Sequence, residues 1–235
     1  MERSKKHKNH NYNNKNNNKK REPIYYGIHL EIENEKKLLN NLQKSIDLIQ
    51  PEYKEEFNSS YETIIELIKK YNEAKEGNEN NNKSNKIIEV NNMKYPKSFH
   101  ITTAFGGKKG FNKNSESVKE FDEGMEVVFK PLGGIVVPGK MVIIPVLPEF
   151  AVENEFPHFT IFIGDLKPVQ SNDILENLFS KNMPLSEEYN NILTEKENEY
   201  IKKVKVNIDG KEFDSFAHLS IKNEKIIGKM KSFYF

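Results

Sequence analysis

Pro157-His158-Phe159-Thr160-Ile161-Phe162-Ile163 is an apolar run interrupted by two polar side chains, and Phe99-His100-Ile101-Thr102-Thr103-Ala104-Phe105 repeats its form. Short runs rich in β-branched and aromatic residues read as strands. Successive side chains of a strand point to opposite faces. The alternation predicts that Phe99, Ile101, Thr103 and Phe105 share one face of the first strand, with His100, Thr102 and Ala104 on the other. In the second strand, Phe159, Ile161 and Ile163 oppose His158 and Thr160. Each strand would bury one face and present an imidazole beside a hydroxyl on the other. Six histidines and five threonines in 235 residues give about 0.13 His-x-Thr pairs by chance, so two copies in matching apolar runs are a signal.

Outward from these runs, Ile24–Ile32 (IYYGIHLEI) has the composition of a strand. Leu38, Leu39, Leu42, Ile46 and Ile49 recur at helical spacing over Lys36–Ile49, and Pro51 is expected to close that helix. Tyr53, Phe57, Tyr61, Ile64, Ile65, Ile68 and Tyr71 form the apolar stripe of a second helix. Strands are expected over Lys86–Val90, Ser98–Phe105, Met125–Lys130, Gly134–Val137, Met141–Leu147 and Pro157–Ile163. A helix opened by Ser171 or Asn172 follows, then a charged helix around Ser186–Tyr200 and two or three closing strands. Helices flanking strands without strict alternation indicate an α+β fold.

Hydrophobic residues are only 36% of the chain, and the deficit sits in two places. Residues 1–22 form an Asn/Lys-rich arm, expected to be disordered, whose first 21 positions hold eight Lys/Arg, seven Asn and one acid. Residues 75–86 (KEGNENNNKSNK) read as a polar insert within a single domain spanning 23–235. The net charge of +1 therefore divides into +7 on those 21 positions and −6 on the remaining chain. A basic arm suits salt-sensitive attachment to nucleic acid, and equally a low-complexity extension without a specific role. There is no cysteine, which excludes a disulfide scaffold, a thiolate nucleophile and a Cys-ligated metal. No membrane span or signal peptide is expected, which points to an intracellular protein, cytoplasmic or nuclear.

The paired motif has a chemical reading. Hydrolysis of a phosphodiester needs one proton taken from the attacking water and one given to the departing oxygen, and imidazole does either near neutral pH. His100 and His158 are the candidate catalytic pair. The sequence leaves open which is acid and which is base, and the assignment adopted is His100 as acid, His158 as base. Thr102 and Thr160, facing the same way, can donate hydrogen bonds to the non-bridging oxygens. No metal and no cofactor are required. His218 in FAHLSIK reads as a structural strand residue, His29 in the first strand as a surface or lobe-interface residue, and His7 and His10 belong to the arm. Gly106-Gly107-Lys108-Lys109-Gly110 is either a plain flexible hairpin or a loop whose Lys108 and Lys109 contact an RNA backbone.

These residues match the pattern of the 2H phosphoesterase superfamily, with its two His-x-[Thr/Ser] motifs. In detail the chain resembles the C-terminal cyclic phosphodiesterase domain of fungal- and plant-type tRNA ligases. IYYGIHLEI is similar to that domain's first strand, and HFTIFIGDLKPVQSNDIL (His158–Leu175) to its second motif and the helix that follows. The resemblance implies a bilobal fold, two antiparallel-rich sheets with flanking helices around a central groove, each lobe giving one motif strand. It also implies hydrolysis of RNA 2′,3′-cyclic phosphate ends to 2′-phosphates, of the tRNA-splicing or RNA-repair type. The motif histidines here stand 58 residues apart, closer than in the tRNA-ligase domain, and no kinase P-loop is present. A free-standing phosphodiesterase, or one partnered by a separate RNA ligase or kinase, is therefore expected. Other members of the scaffold act on ADP-ribose cyclic phosphate, 2′,5′-oligoadenylate or RNA 3′ ends, and a non-catalytic RNA-binding module is a further alternative.

Overall fold

The computed structural model describes residues 22–47, 51–76, 87–96, 99–106, 110–179, 201–219 and 225–234. The chain runs β1 (Tyr25–His29), α1 (Ile32–Asp47), α2 (Pro51–Glu76), β2 (Glu89–Val90), β3 (Met93–Lys94), β4 (His100–Phe105) and α3 (Glu116–Lys119). It continues with β5 (Glu126–Pro131), β6 (Gly133–Val137), β7 (Met141–Pro148), β8 (His158–Ile163), α4 (Gln170–Leu178), β9 (Ile201–Ile208), β10 (Lys211–Leu219) and β11 (Ile226–Phe233). Described strand pairs are all antiparallel, and the fold is α+β, as the element pattern predicts. No described helix is long and apolar enough to cross a membrane.

The strands form two connected sheets. One has the order β4-β1-β11-β5 and the other β9-β10-β6-β7-β8-β3-β2. Strand β7 belongs to both. Its Met141–Pro145 segment pairs with β8, and its Val146–Pro148 segment pairs with β5. The change occurs at Pro145, which has no N–H to give either ladder. A large core joins the inner faces of both sheets to the first two helices, through Ile28, Ile101 and Phe129, Val142 and Phe159, and Leu39, Ile64 and Tyr71. A smaller core sits on the opposite face of the second sheet, where Met141, Ile143 and Ile163 meet Ile174 and Leu175 of α4.

Several boundaries differ from the sequence expectation. Helix α1 starts at Ile32 rather than Lys36, because Glu33 and Glu35 in its first turn complement the positive end of the helix. Pro51 begins α2 instead of merely closing α1, since the first helical position needs no N–H donor. Helix α4 starts at Gln170, so Ser171 lies within its first turn and does not cap it. Lys75 and Glu76 are helical, which shortens the expected polar insert from its start. The arm up to residue 21, the remainder of the insert, Lys108 and Lys109, and the helix expected around Ser186–Tyr200 fall outside the described residues.

A buried carboxylate ties the helices to β4. Glu35 of α1 is 4% exposed and accepts a hydrogen bond from the Tyr71 hydroxyl of α2. Its other oxygen faces the backbone N–H of Phe99 at 3.4 Å, immediately before His100. Burial and then the Glu35 charge raise the Tyr71 pKa, so the phenol remains a donor. Removing that donor in Tyr71→Phe strands part of a buried carboxylate, for a cost of about 1–3 kcal/mol. The expected result is a lower urea midpoint at unchanged slope, whereas a wild-type midpoint would mean the bond contributes nothing.

Candidate active site

The two motif strands carry the same irregularity at the same place. In β4, Gly27 of β1 pairs with Thr102 while the next residue, Tyr26, pairs with Ala104, leaving Thr103 as an extra residue. In β8, Ile143 of β7 pairs with Thr160 and Val142 with Phe162, leaving Ile161 extra. Each strand therefore bulges at the residue directly after its motif threonine. A bulge shifts every later side chain to the other face. This corrects the expected alternation: Phe105 pairs with Tyr25 on the histidine side and is 63% exposed, not aligned with Ile101. Phe162 turns into the large core, and Ile163 joins the smaller one. The Thr103 carbonyl, freed from the ladder, accepts the backbone N–H of Glu153 at 2.7 Å.

His100 lies at the edge of the first sheet, on a face built by strand register. His29 is directly opposite His100, Gly27 opposite Thr102, and Lys231 of β11 opposite Gly27. Aromatic rings surround the imidazole. Tyr25 stacks on His100 at 5.2 Å between centroids, and Phe233 stacks on Tyr25 at 4.4 Å and stands 5.3 Å from His100. Gly27 makes room for this, since a Cβ there would meet the Ile101 carbonyl oxygen at 2.8 Å and the Phe233 ring at 3.2 Å. Burial raises the Tyr25 pKa to about 12, so its hydroxyl stays protonated at neutral pH.

His29, which the sequence places at the surface or a lobe interface, shares the His100 face. Burial, then the charges of Lys231 and His100, lower its pKa from 6.5 to about 4. Its Nδ1 is buried with no hydrogen-bond partner among the described residues. No local signal in the sequence marks this residue, because its opposition to His100 is a matter of strand pairing across 71 positions. His218 pairs with Gly134 and Ile201 on β10, apart from both motif strands.

His158 has a different setting. It is only 8% exposed, and every residue of β8 except Thr160 is buried. The expected strand with one open face is thus covered on both sides here, because α4 packs over the smaller core. Nδ1 of His158 stands 2.6 Å from the Phe156 carbonyl oxygen and Nε2 stands 2.7 Å from the Ser171 hydroxyl. Since a carbonyl only accepts, Nδ1 carries the proton in the neutral ring. Burial lowers the His158 pKa from 6.5 to about 4, partly opposed by the Phe156 hydrogen bond, and the charge of His100 lowers it further. The sequence reading missed Ser171 as part of this environment; thirteen residues separate it from His158, and only the return of α4 joins them.

Strands β4 and β8 approach each other without pairing, and the charge of one motif histidine is felt at the other. The structure thus brings His100 and His158 into one electrostatic neighbourhood, with half-buried Thr102 and Thr160 beside them. Among the described residues, no group of three His, Cys, Asp or Glu could hold a metal ion. The depression between α1 and α2, lined by Asn40, Gln43, Ile65, Ile68, Lys69, Asn72 and Glu73, contains none of the motif residues.

The arrangement has a structural likeness. A crystal structure of a fungal RNA kinase superposes with a TM-score of 0.50 at 16% sequence identity, over 93% of this chain and 47% of that one. This chain spans about half the length of that kinase chain. At this identity the likeness concerns the fold alone. No protein-family profile matches the chain, and no curated protein sequence does.

The depressed histidines link stability to pH. Between pH 6.5 and about 4 the unfolded chain protonates His29 and His158 while the folded chain does not. The unfolded state binds more protons there, so stability is full above pH 6.5 and declines as pH falls toward 4. Urea unfolding from pH 7 to pH 4.5 should show this decline, with a shallower slope against pH in His29→Gln. An unchanged slope in that variant would remove His29 from the linkage.

Proposed function

We propose that the chain is a metal-independent phosphodiesterase of the 2H type that opens 2′,3′-cyclic phosphate ends of RNA to 2′-phosphates. The observation that carries this reading is the pair of His-x-Thr strands, one from each sheet, bulged at the same position and brought side by side. A two-lobed 2H architecture fits the two sheets joined through β7. The likeness to the fungal RNA kinase is compatible with an RNA-end substrate and carries no more weight than that.

The environments support the assignment of roles. His158 is neutral at pH 7 and Nε2, facing the Ser171 hydroxyl, is its lone-pair nitrogen, as a general base requires. His100 is half-buried at a sheet edge and can exchange its proton with solvent, as an acid must between turnovers. The water oxygen bonds to phosphorus, the phosphorus–O3′ bond breaks, and His100 protonates the departing 3′-oxygen. Thr102 and Thr160 donate to the non-bridging oxygens as charge gathers there. Lys231, on the same face as His100, favours an anionic substrate. Lys108 and Lys109 remain candidates for RNA contact, and a separate RNA ligase or kinase remains the expected partner.

The test is a short RNA ending in a 2′,3′-cyclic phosphate, incubated with purified protein and EDTA. Conversion to the 2′-phosphate is expected, with kcat/KM lower by about 10²–10⁴ in His100→Ala and in His158→Ala. Full activity in either variant would sink the assignment. Binding of the RNA without turnover would instead favour the RNA-binding module, and turnover only of ADP-ribose cyclic phosphate or 2′,5′-linked oligoadenylate would move the substrate within the same chemistry.

A further inference from the structure

Ser171 holds one proton between two acceptors. Its Oγ lies 2.7 Å from the Pro168 carbonyl oxygen and 2.7 Å from Nε2 of His158. The side chain is 2% exposed, so no solvent competes for it. Phe156 takes the Nδ1 proton of the ring, and Nε2 in the neutral ring can only accept. When the Ser171 hydroxyl donates to Nε2, the Pro168 carbonyl loses that donor. When it donates to Pro168, Nε2 faces an oxygen lone pair unless Nε2 itself carries a proton. All three contacts are satisfied together only by the imidazolium: Nδ1–H to Phe156, Nε2–H to Ser171, and the Ser171 hydroxyl to Pro168.

We propose that Ser171 is a positioning residue for His158, whose hydroxyl holds Nε2 in the resting site and turns to the Pro168 carbonyl when the imidazole takes up a proton. This deepens the phosphodiesterase reading and rests on it for its catalytic consequence. The hydroxyl keeps a hydrogen bond in either orientation, because the second acceptor is already at bonding distance. Once Nε2 carries a proton, Oγ, still 2.7 Å away, is the acceptor that the new Nε2–H requires. A buried imidazolium without such an acceptor would be strongly disfavoured. Ser171 does not touch substrate in this scheme; its effect passes through His158.

The experiment uses the full chain labelled with nitrogen-15 and compares wild type, Ser171→Ala and Ser171→Thr. At pH 7, two-bond nitrogen–proton correlations should show His158 protonated at Nδ1, with a hydrogen-bonded, unprotonated Nε2. In Ser171→Ala the Nε2 resonance should move downfield to the position of an unbonded ring nitrogen, and Ser171→Thr should restore it. On cyclic-phosphate RNA, kcat should fall about tenfold in Ser171→Ala with KM within about twofold. An unmoved Nε2 resonance in folded Ser171→Ala, or a wild-type kcat alongside a moved one, overturns the proposal. A wild-type spectrum with the proton on Nε2 does the same even if the variants do not fold. Absence of turnover in wild type, with the Nε2 shift present, would retire the phosphodiesterase reading and leave the Ser171–His158 link standing.

Discussion

Strand β7 is shared by two sheets, and the position of the site depends on that sharing. Five of its residues pair with β8, and its last three pair with β5. Strand β7 pairs with β8 through Pro145 and with β5 from Val146 onward, so Pro145 marks the junction. With no N–H of its own, Pro145 contributes only a carbonyl, which accepts from Leu132 at 2.9 Å. The next N–H, that of Val146, goes to the Pro157 carbonyl at 2.9 Å, just before His158. The beginning of β8 is thereby pinned beside the junction. Strand β4, on the far edge of the first sheet, returns to it through the Glu153–Thr103 backbone bond.

Matching bulges give the two motif strands a common form, but their surroundings diverge. Helix α4 closes over His158, leaving its ring dry and both nitrogens engaged. No described helix covers His100, whose described neighbours include Tyr25, Phe233 and the opposing His29. The asymmetry separates the two imidazoles chemically without changing residue type: desolvation keeps one neutral, and partial exposure leaves the other in contact with solvent protons.

The buried Glu35–Tyr71 pair shows how the helical layer reaches the same place from behind. A carboxylate in a core is costly unless its lone pairs are used. Here one oxygen takes the Tyr71 hydroxyl and the other faces the N–H of Phe99. The polar contact is therefore directed at the residue preceding His100, and not merely tolerated. It connects α1, α2 and β4 in a single small network beside the large apolar core.

Much of this was legible in the chain. The 3.6-residue stripes of α1 and α2, the apolar runs of β4 to β8, and the two His-x-Thr triplets are local patterns, set by which side chains can be buried together on one face. The triplets also named His100 and His158 as a pair. What the sequence did not carry were relations between distant segments. A bulge has no residue signature in Thr102-Thr103 or Thr160-Ile161, so alternation misassigned Phe105 and Ile163. His29 opposite His100, and Ser171 against His158, arise from strand register and helix return. Those are fixed by the whole network of ladders and cores, whose free energy no short window of sequence contains. The residue types that can do the chemistry were thus set locally, while the burial and neighbours that make one histidine unlike the other were decided only by the tertiary structure.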